Sequence, residues 1–231
     1  MKTVAISILS LVLLSASCKK NKKCSRDYQL EHPVSVYPIK ESYTIGDTIW
    51  FEMNFPDVFN SLVTDMYNGA KEHYESIQLK DFDFHRNFLR IFKLQDNTIP
   101  AIGQEDAWNA FTSIHILGNV EFEGPEGLEY KLLYSNGMYN MKIGVICNES
   151  GTFLFSPLFR NYYPSNSFDA NYQDLTPTCE LEIITRIHFP VNRQPNGTCL
   201  TNYHLFKQFM NEGVSNDTNR IKNQCFTFVV N

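Results

Sequence analysis

"LEYKLLYSNGMYNMKIGVIC", residues 128–147, decides the fold class. Two runs of alternating apolar and polar residues meet at Asn136-Gly137. That dipeptide tolerates the positive φ angles of a type I′ turn, whose twist matches that of two antiparallel strands. Beyond the turn, Tyr139, Met141, Ile143, Val145 and Cys147 recur at every second residue, so they share one strand face. The stretch predicts an antiparallel hairpin with one buried face.

Working outward, the same period recurs along the chain. "DTIWFEMNFP" (47–56) points Ile49, Phe51, Met53 and Phe55 one way and Thr48, Trp50, Glu52 and Asn54 the other. "DFDFHRNFLRIFKL" (81–94) places Phe82, Phe84, Phe88, Phe92 and Leu94 on one face. "GTFLFSPLF" (151–159), "CELEIITRIHF" (179–189) and "QCFTFVVN" (224–231) read as three more strands. Helical signals are few. "TNYHLFKQFMNEG" (201–213) is a short amphipathic helix capped by Thr201 or Asn202 and stopped by Gly213, and "GQEDAWNAF" (103–111) is a second. Many strands with few helices predict a mainly β, antiparallel sandwich with one or two short helices. No linker interrupts residues 33–231, which are expected to form one elaborated domain.

Composition bounds the function. The chain has 231 residues and a net charge of −5, which argues against a nucleic-acid partner. Aromatic residues make up 14 %, enough to exclude a disordered passenger. Residues 1–17 combine a basic start, an apolar run from Val4 to Leu14 and the small residues Ser15, Ala16 and Ser17. That is a secretory leader, too short to span a bilayer. "KKNKKCSRD" (19–27) is polar and basic, so residues 18–32 are expected to be a flexible tether.

Leu14-Ser15-Ala16-Ser17-Cys18 resembles the lipobox of bacterial lipoproteins. The resemblance implies cleavage before Cys18, lipidation of its sulfur and acylation of the new amino terminus. Lys19, rather than Asp, after the cysteine implies the outer membrane. The lysine-rich tether lacks the acidic surface-export run of Bacteroidota lipoproteins and so implies a domain facing the periplasm. "PVSVYPIKESYTIGDTIWFEMNFPD" (33–57) is similar to the opening hairpin of immunoglobulin-like and macroglobulin-like sandwich modules in Bacteroidota exported proteins, which implies an immunoglobulin-like sandwich. Asp47-Thr48-Ile49 resembles the O-glycosylation triplet of the same group.

Cys24, Cys147, Cys179, Cys199 and Cys225 remain, with no CxxC spacing for zinc or thioredoxin chemistry. In an oxidising compartment, two disulfides among Cys147, Cys179, Cys199 and Cys225 are expected, with connectivity open and Cys24 left over. Catalytic signals are weak. No Gly-x-Ser-x-Gly elbow and no His-Glu-x-x-His pair occurs, and no motif implies a cofactor. Asp81, Asp83 and His85 alternate, but a solvated strand face explains them better than a metal site. Glu121, Glu123, Glu126 and Glu129 cluster in "FEGPEGLE", where Glu123 and Glu126 are the acids a hydrolase would use if they converged. "FRNYYPSNSFDANY" (159–172) has the composition of a recognition loop, with Tyr162, Tyr163, Phe168 and Tyr172 as rigid contacts. The expected function is a non-catalytic, membrane-anchored binding or structural module that recognises protein or glycan. A periplasmic hydrolase is the alternative.

Overall fold

The computed structural model describes residues 22–65, 70–82, 84, 87–95, 104–159, 179–209 and 218–231. Asn136 and Gly137 adopt φ of 52° and 75°, as a type I′ turn requires. They join β12 (Leu133–Ser135) to β13 (Met138–Cys147). β13 then pairs along nearly its whole length with β4 (Thr48–Pro56). The two strands turn Tyr139, Met141, Ile143, Val145 and Cys147 and Ile49, Phe51, Met53 and Phe55 into the core, as their alternation predicts. β2 (Val34–Tyr37) flanks β4, and β9 (Phe111–Leu117) continues the free edge of β13, completing a five-stranded sheet.

A seven-stranded sheet faces it. Its order is β10 (Asn119–Gly124), β11 (Gly127–Lys131), β7 (Asn87–Leu94), β14 (Gly151–Phe159), β16 (Phe226–Val230) and β3 (Ser42–Tyr43), with β8 (Gln104–Asp106) also on β7. Phe51 of β4 stacks on Phe155 of β14 with ring centroids 3.8 Å apart, and Phe111 packs edge-on against Phe153. Each such buried ring contributes about 1.5–3 kcal/mol. The result is a mainly β sandwich of predominantly antiparallel sheets.

Two short helices, α1 (Tyr203–Lys207) and α2 (Thr218–Gln224), cover the outer face of the seven-stranded sheet. Phe92, Leu94 and Leu154 meet Phe206, Tyr203 and Ile221 there. This corrects the one-sided reading of residues 81–94. Leu89 and Ile91 enter the main core while Phe92 and Leu94 enter the helix layer, because β7 is buried on both faces. Within the segment expected to be a second helix, the described residues 104–111 are not α-helical either; they give β8 and a 3₁₀ turn over Trp108–Ala110. Asn202 stands at the start of α1 with φ 52° and caps no backbone N–H by its side chain. Its amide instead donates to the carbonyls of Lys40 and Thr227, which ties the helix to the sandwich.

A four-stranded sheet continues the sandwich through Asp57, where β4 passes into β5 (Val58–Asp65). Its order is β15 (Cys179–His188), β1 (Lys22–Glu31), β5 and β6 (Lys71–Gln78). Residues 22–31 are therefore a strand, not the tether expected over 18–32. Tyr28 and Leu30 are buried, and a ten-residue parallel ladder to β15 satisfies the backbone. This ladder and the short one between β16 and β3 are parallel.

Candidate functional site

The outer face of the five-stranded sheet carries a row that crosses four strands: Tyr37, Trp50, Gly144 and Ile114 stand opposite one another. Residues directly opposite share a face, so these side chains all point outward. A Cβ on Gly144 would lie 2.8 Å from Cζ3 and 2.9 Å from Cε3 of Trp50. The six-membered ring of Trp50 thus rests on bare backbone, which only glycine allows. The adjacent row adds Glu52, Lys142 and Leu117.

Polar contacts hold the rings in place. The Tyr37 hydroxyl donates to Glu52 Oε2 at 2.8 Å. Lys142 Nζ lies 3.8 Å from the same oxygen, 5.3 Å from the Tyr37 ring centroid and 5.4 Å from that of Trp50. Each cation–π contact at such a half-exposed site contributes about 0.5–1 kcal/mol. The hydrogen bond with Tyr37 raises the Lys142 pKa, so the ammonium keeps its charge at neutral pH. Burial raises that of the Tyr37 hydroxyl, which stays a donor. One residue pair further on, Asn54 Nδ2 donates to Asn140 Oδ1 at 2.9 Å on the exposed surface. The face therefore combines two anchored aromatic rings with a carboxylate, an ammonium and two amides.

A second cluster lies on β9 and β10. Glu123 Oε1 accepts from Trp108 Nε1 at 2.8 Å and from Ser113 Oγ at 2.5 Å. His115 Nε2 is 3.1 Å from Ser113 Oγ and 3.6 Å from Glu123 Oε2. A serine relay needs its carboxylate on the imidazole nitrogen remote from the serine. Here the same nitrogen faces both groups, and the carboxylate already accepts the serine proton. The three residues form a hydrogen-bonded knot that braces β9 against β10. Glu126 sits in the following turn, where its backbone carbonyl accepts from Arg90 Nε at 3.2 Å.

Buried charge concentrates on the four-stranded sheet. Arg26 donates through Nε to Asp65 Oδ1 at 2.6 Å and through Nη2 to Oδ2 at 3.3 Å, with Glu75 3.6 Å from Nη1. Burial works against the Arg26 charge, but the bonds to Asp65 and Tyr28 outweigh it and the pKa is raised. On the opposite face, burial raises the Asp27 carboxyl, partly offset by Arg186 at 2.8 Å. His32 is 0 % exposed among Phe55, Phe59, Phe84 and Phe189, and neither ring nitrogen has a hydrogen-bond partner.

Cys18 and the aromatic residues Tyr162, Tyr163, Phe168 and Tyr172 lie outside the described residues, as do Asp83 and His85. The described residues contain no group of three or more His, Cys, Asp or Glu placed to hold a metal ion. Cys147, Cys199 and Cys225 are thiols, so the bridges expected to involve them are not formed. The cause is placement. Cys147 is sealed in the main core, and Cys225 lies in the helix layer with its Sγ 3.6 Å from Ser156 Oγ. Cys199 sits in the 193–199 turn beyond β15, and the Cys179 side chain lies outside the described set. The Trp50–Gly144 contact was missed in the sequence. Its signal was present: a tryptophan on the polar register of one strand and a glycine on the outward register of another. No family model, curated protein or solved structure matches this chain.

Proposed function

We propose that this chain is a lipid-anchored protein of the outer membrane, facing the periplasm, whose sandwich is a non-catalytic glycan-binding module. The observation that carries the reading is the Tyr37–Trp50 row seated on Gly144. Aromatic ring faces are electron-rich and attract the C–H bonds of a sugar ring, which carry slight positive charge. Glu52, Lys142, Asn54 and Asn140 supply the donors and acceptors that sugar hydroxyls require at the rim. The rings are already fixed by Gly144 and Glu52, so binding orders little that is free. The anchor is supported by the lipobox ending in Cys18. The segment bearing Tyr162, Tyr163, Phe168 and Tyr172 is the second contact, by composition.

The test is calorimetric or electrophoretic titration of the soluble domain with envelope polysaccharides and peptidoglycan fragments. Trp50→Ala is expected to weaken binding at least tenfold, about 1.4 kcal/mol, while leaving circular dichroism unchanged. Gly144→Ala, which drives the ring off the sheet, is expected to weaken it similarly. The wild-type domain failing to bind any glycan in the series would exclude the reading, as would full retention of affinity in Trp50→Ala.

A further inference from the structure

A β-bulge gives the outer face of the five-stranded sheet an apolar side. On β9, His115 stands opposite Ile143 and Leu117 opposite Lys142, so Ile116 is an extra residue and the register shifts there. In a regular strand Ile114 and Leu117, three residues apart, would point to opposite faces. Across the bulge both stand opposite outward residues, Ile114 beside Gly144 and Leu117 beside Lys142. Bulges re-aim side chains in this way, often next to functional sites. β12 continues the line on the same edge of β13, with Leu133 opposite Asn140. Ile114, Leu117 and Leu133 therefore form an aliphatic column about 13 Å long, from the level of Gly144 to that of Asn140. Ile114 is half-buried, while Leu117 and Leu133 are 41 % and 45 % exposed.

The column runs beside the aromatic row. The Trp50 ring lies over Gly144 and so reaches the strand next to Ile114. Rings and polar groups occupy β2, β4 and β13; aliphatic groups occupy β9 and β12. The charged groups in these rows, Glu52 and Lys142, face each other at 3.8 Å and cancel. A plain glycan would leave the column in water, and a charged ligand would find no net countercharge.

We propose that this face takes a neutral saccharide bearing an aliphatic chain, with the sugar on Tyr37 and Trp50 and the chain along Ile114, Leu117 and Leu133. The inference rests on the glycan-binding reading of the same face and adds the apolar part of the ligand. Each methylene that leaves water favours binding, so affinity rises with chain length.

The experiment uses the full chain and three sugars, as β-glucosides, β-galactosides and β-N-acetylglucosaminides. Each is supplied in a methyl and an octyl form, the octyl form below its critical micelle concentration. Affinity and position are read from the NMR shifts of the Ile114, Leu117 and Leu133 methyl groups and the Trp50 indole N–H. For at least one sugar, the octyl form is expected to bind at least tenfold more tightly than the methyl form and to move all four signals. The double variant Leu117→Asn, Leu133→Asn should lower the octyl affinity to that of the methyl form and leave the methyl form unchanged. Both side chains are exposed, and circular dichroism checks that the variant keeps the fold.

Equal binding of methyl and octyl forms overturns the proposal and leaves the glycan reading standing. Octyl affinity that survives Trp50→Ala overturns both, because the column then takes the chain without the sugar. Octyl glycosides that leave the three methyl signals unmoved overturn the proposal alone, the glycan reading being decided by its own titration. Methyl shifts that follow protein concentration without any glycoside assign the column to a second copy of the chain, and that too overturns the proposal.

Discussion

His32 is an imidazole where a hydrocarbon would pack as well. Burial alone pushes its pKa down to about 3, against 6.5 for the free side chain. The folded state therefore holds the ring neutral while the unfolded chain takes up a proton below pH 6.5. Stability from this residue is complete above pH 6.5 and is lost as pH falls toward 3, at about 1.4 kcal/mol per pH unit. The nearest rings are those of Phe55 at 4.5 Å and Phe84 at 4.6 Å, which offer the charged form neither a hydrogen-bond acceptor nor a counter-ion. Urea unfolding between pH 7.5 and 4 should show His32→Leu losing much less stability than the wild type. Parallel pH dependence of the two proteins would contradict this account.

Among the elements, the β12–β13 turn is held both by its own backbone and by the β4–β5 junction. Gly137 has φ 75°, and its carbonyl accepts the amide of Asp57 at 2.9 Å, where β4 passes into β5. Asp57 also accepts from the Tyr134 hydroxyl at 2.8 Å, so turn and junction are locked together. A Cβ at Gly137 would have room, with Asp57 Oδ1 3.8 Å away; the cost of Gly137→Ala is the left-handed backbone alone, about 1 kcal/mol. Chemical denaturation should show that loss with an unchanged m-value. A neutral substitution would mean that the turn relaxes to another type. β1 makes the complementary point: its stability comes from two partner strands and not from its own composition.

At the scale of the whole molecule, two packed layers and a helix layer on one side decide which groups the solvent reaches. Cys147 is buried in the main core, and burial pushes its thiol up to about 11, so it is both shielded and protonated at neutral pH. Cys199 is partly exposed in its turn. Alkylation of the native protein at pH 8 should modify Cys199 within minutes and leave Cys147 intact until denaturant is added. Modification of both at similar rates, or of neither before reduction, would show that the core or the thiol state differs from that described.

Alternation by itself determined most of the sandwich. The side-chain period of a strand is local, so Ile49 to Phe55 and Tyr139 to Cys147 could be assigned to the core without knowing that they face each other. The Asn136-Gly137 turn was legible for the same reason, since φ preference belongs to the residue. Only the tertiary structure decided the rest. "KKCSRDYQLE" is a strand because β15, some 150 residues further on, lies beside it, and nothing within the segment signals that partner. Leu89 and Phe92 part company because helices that come more than a hundred residues later cover one face of β7. Trp50 acquires its seat because Gly144 is brought opposite by the β4–β13 register, a juxtaposition set by pairing between strands nearly a hundred residues apart. Local backbone preference and side-chain period are written residue by residue. Which faces meet, and so where a ligand can rest, depends on contacts whose partners the local sequence does not contain.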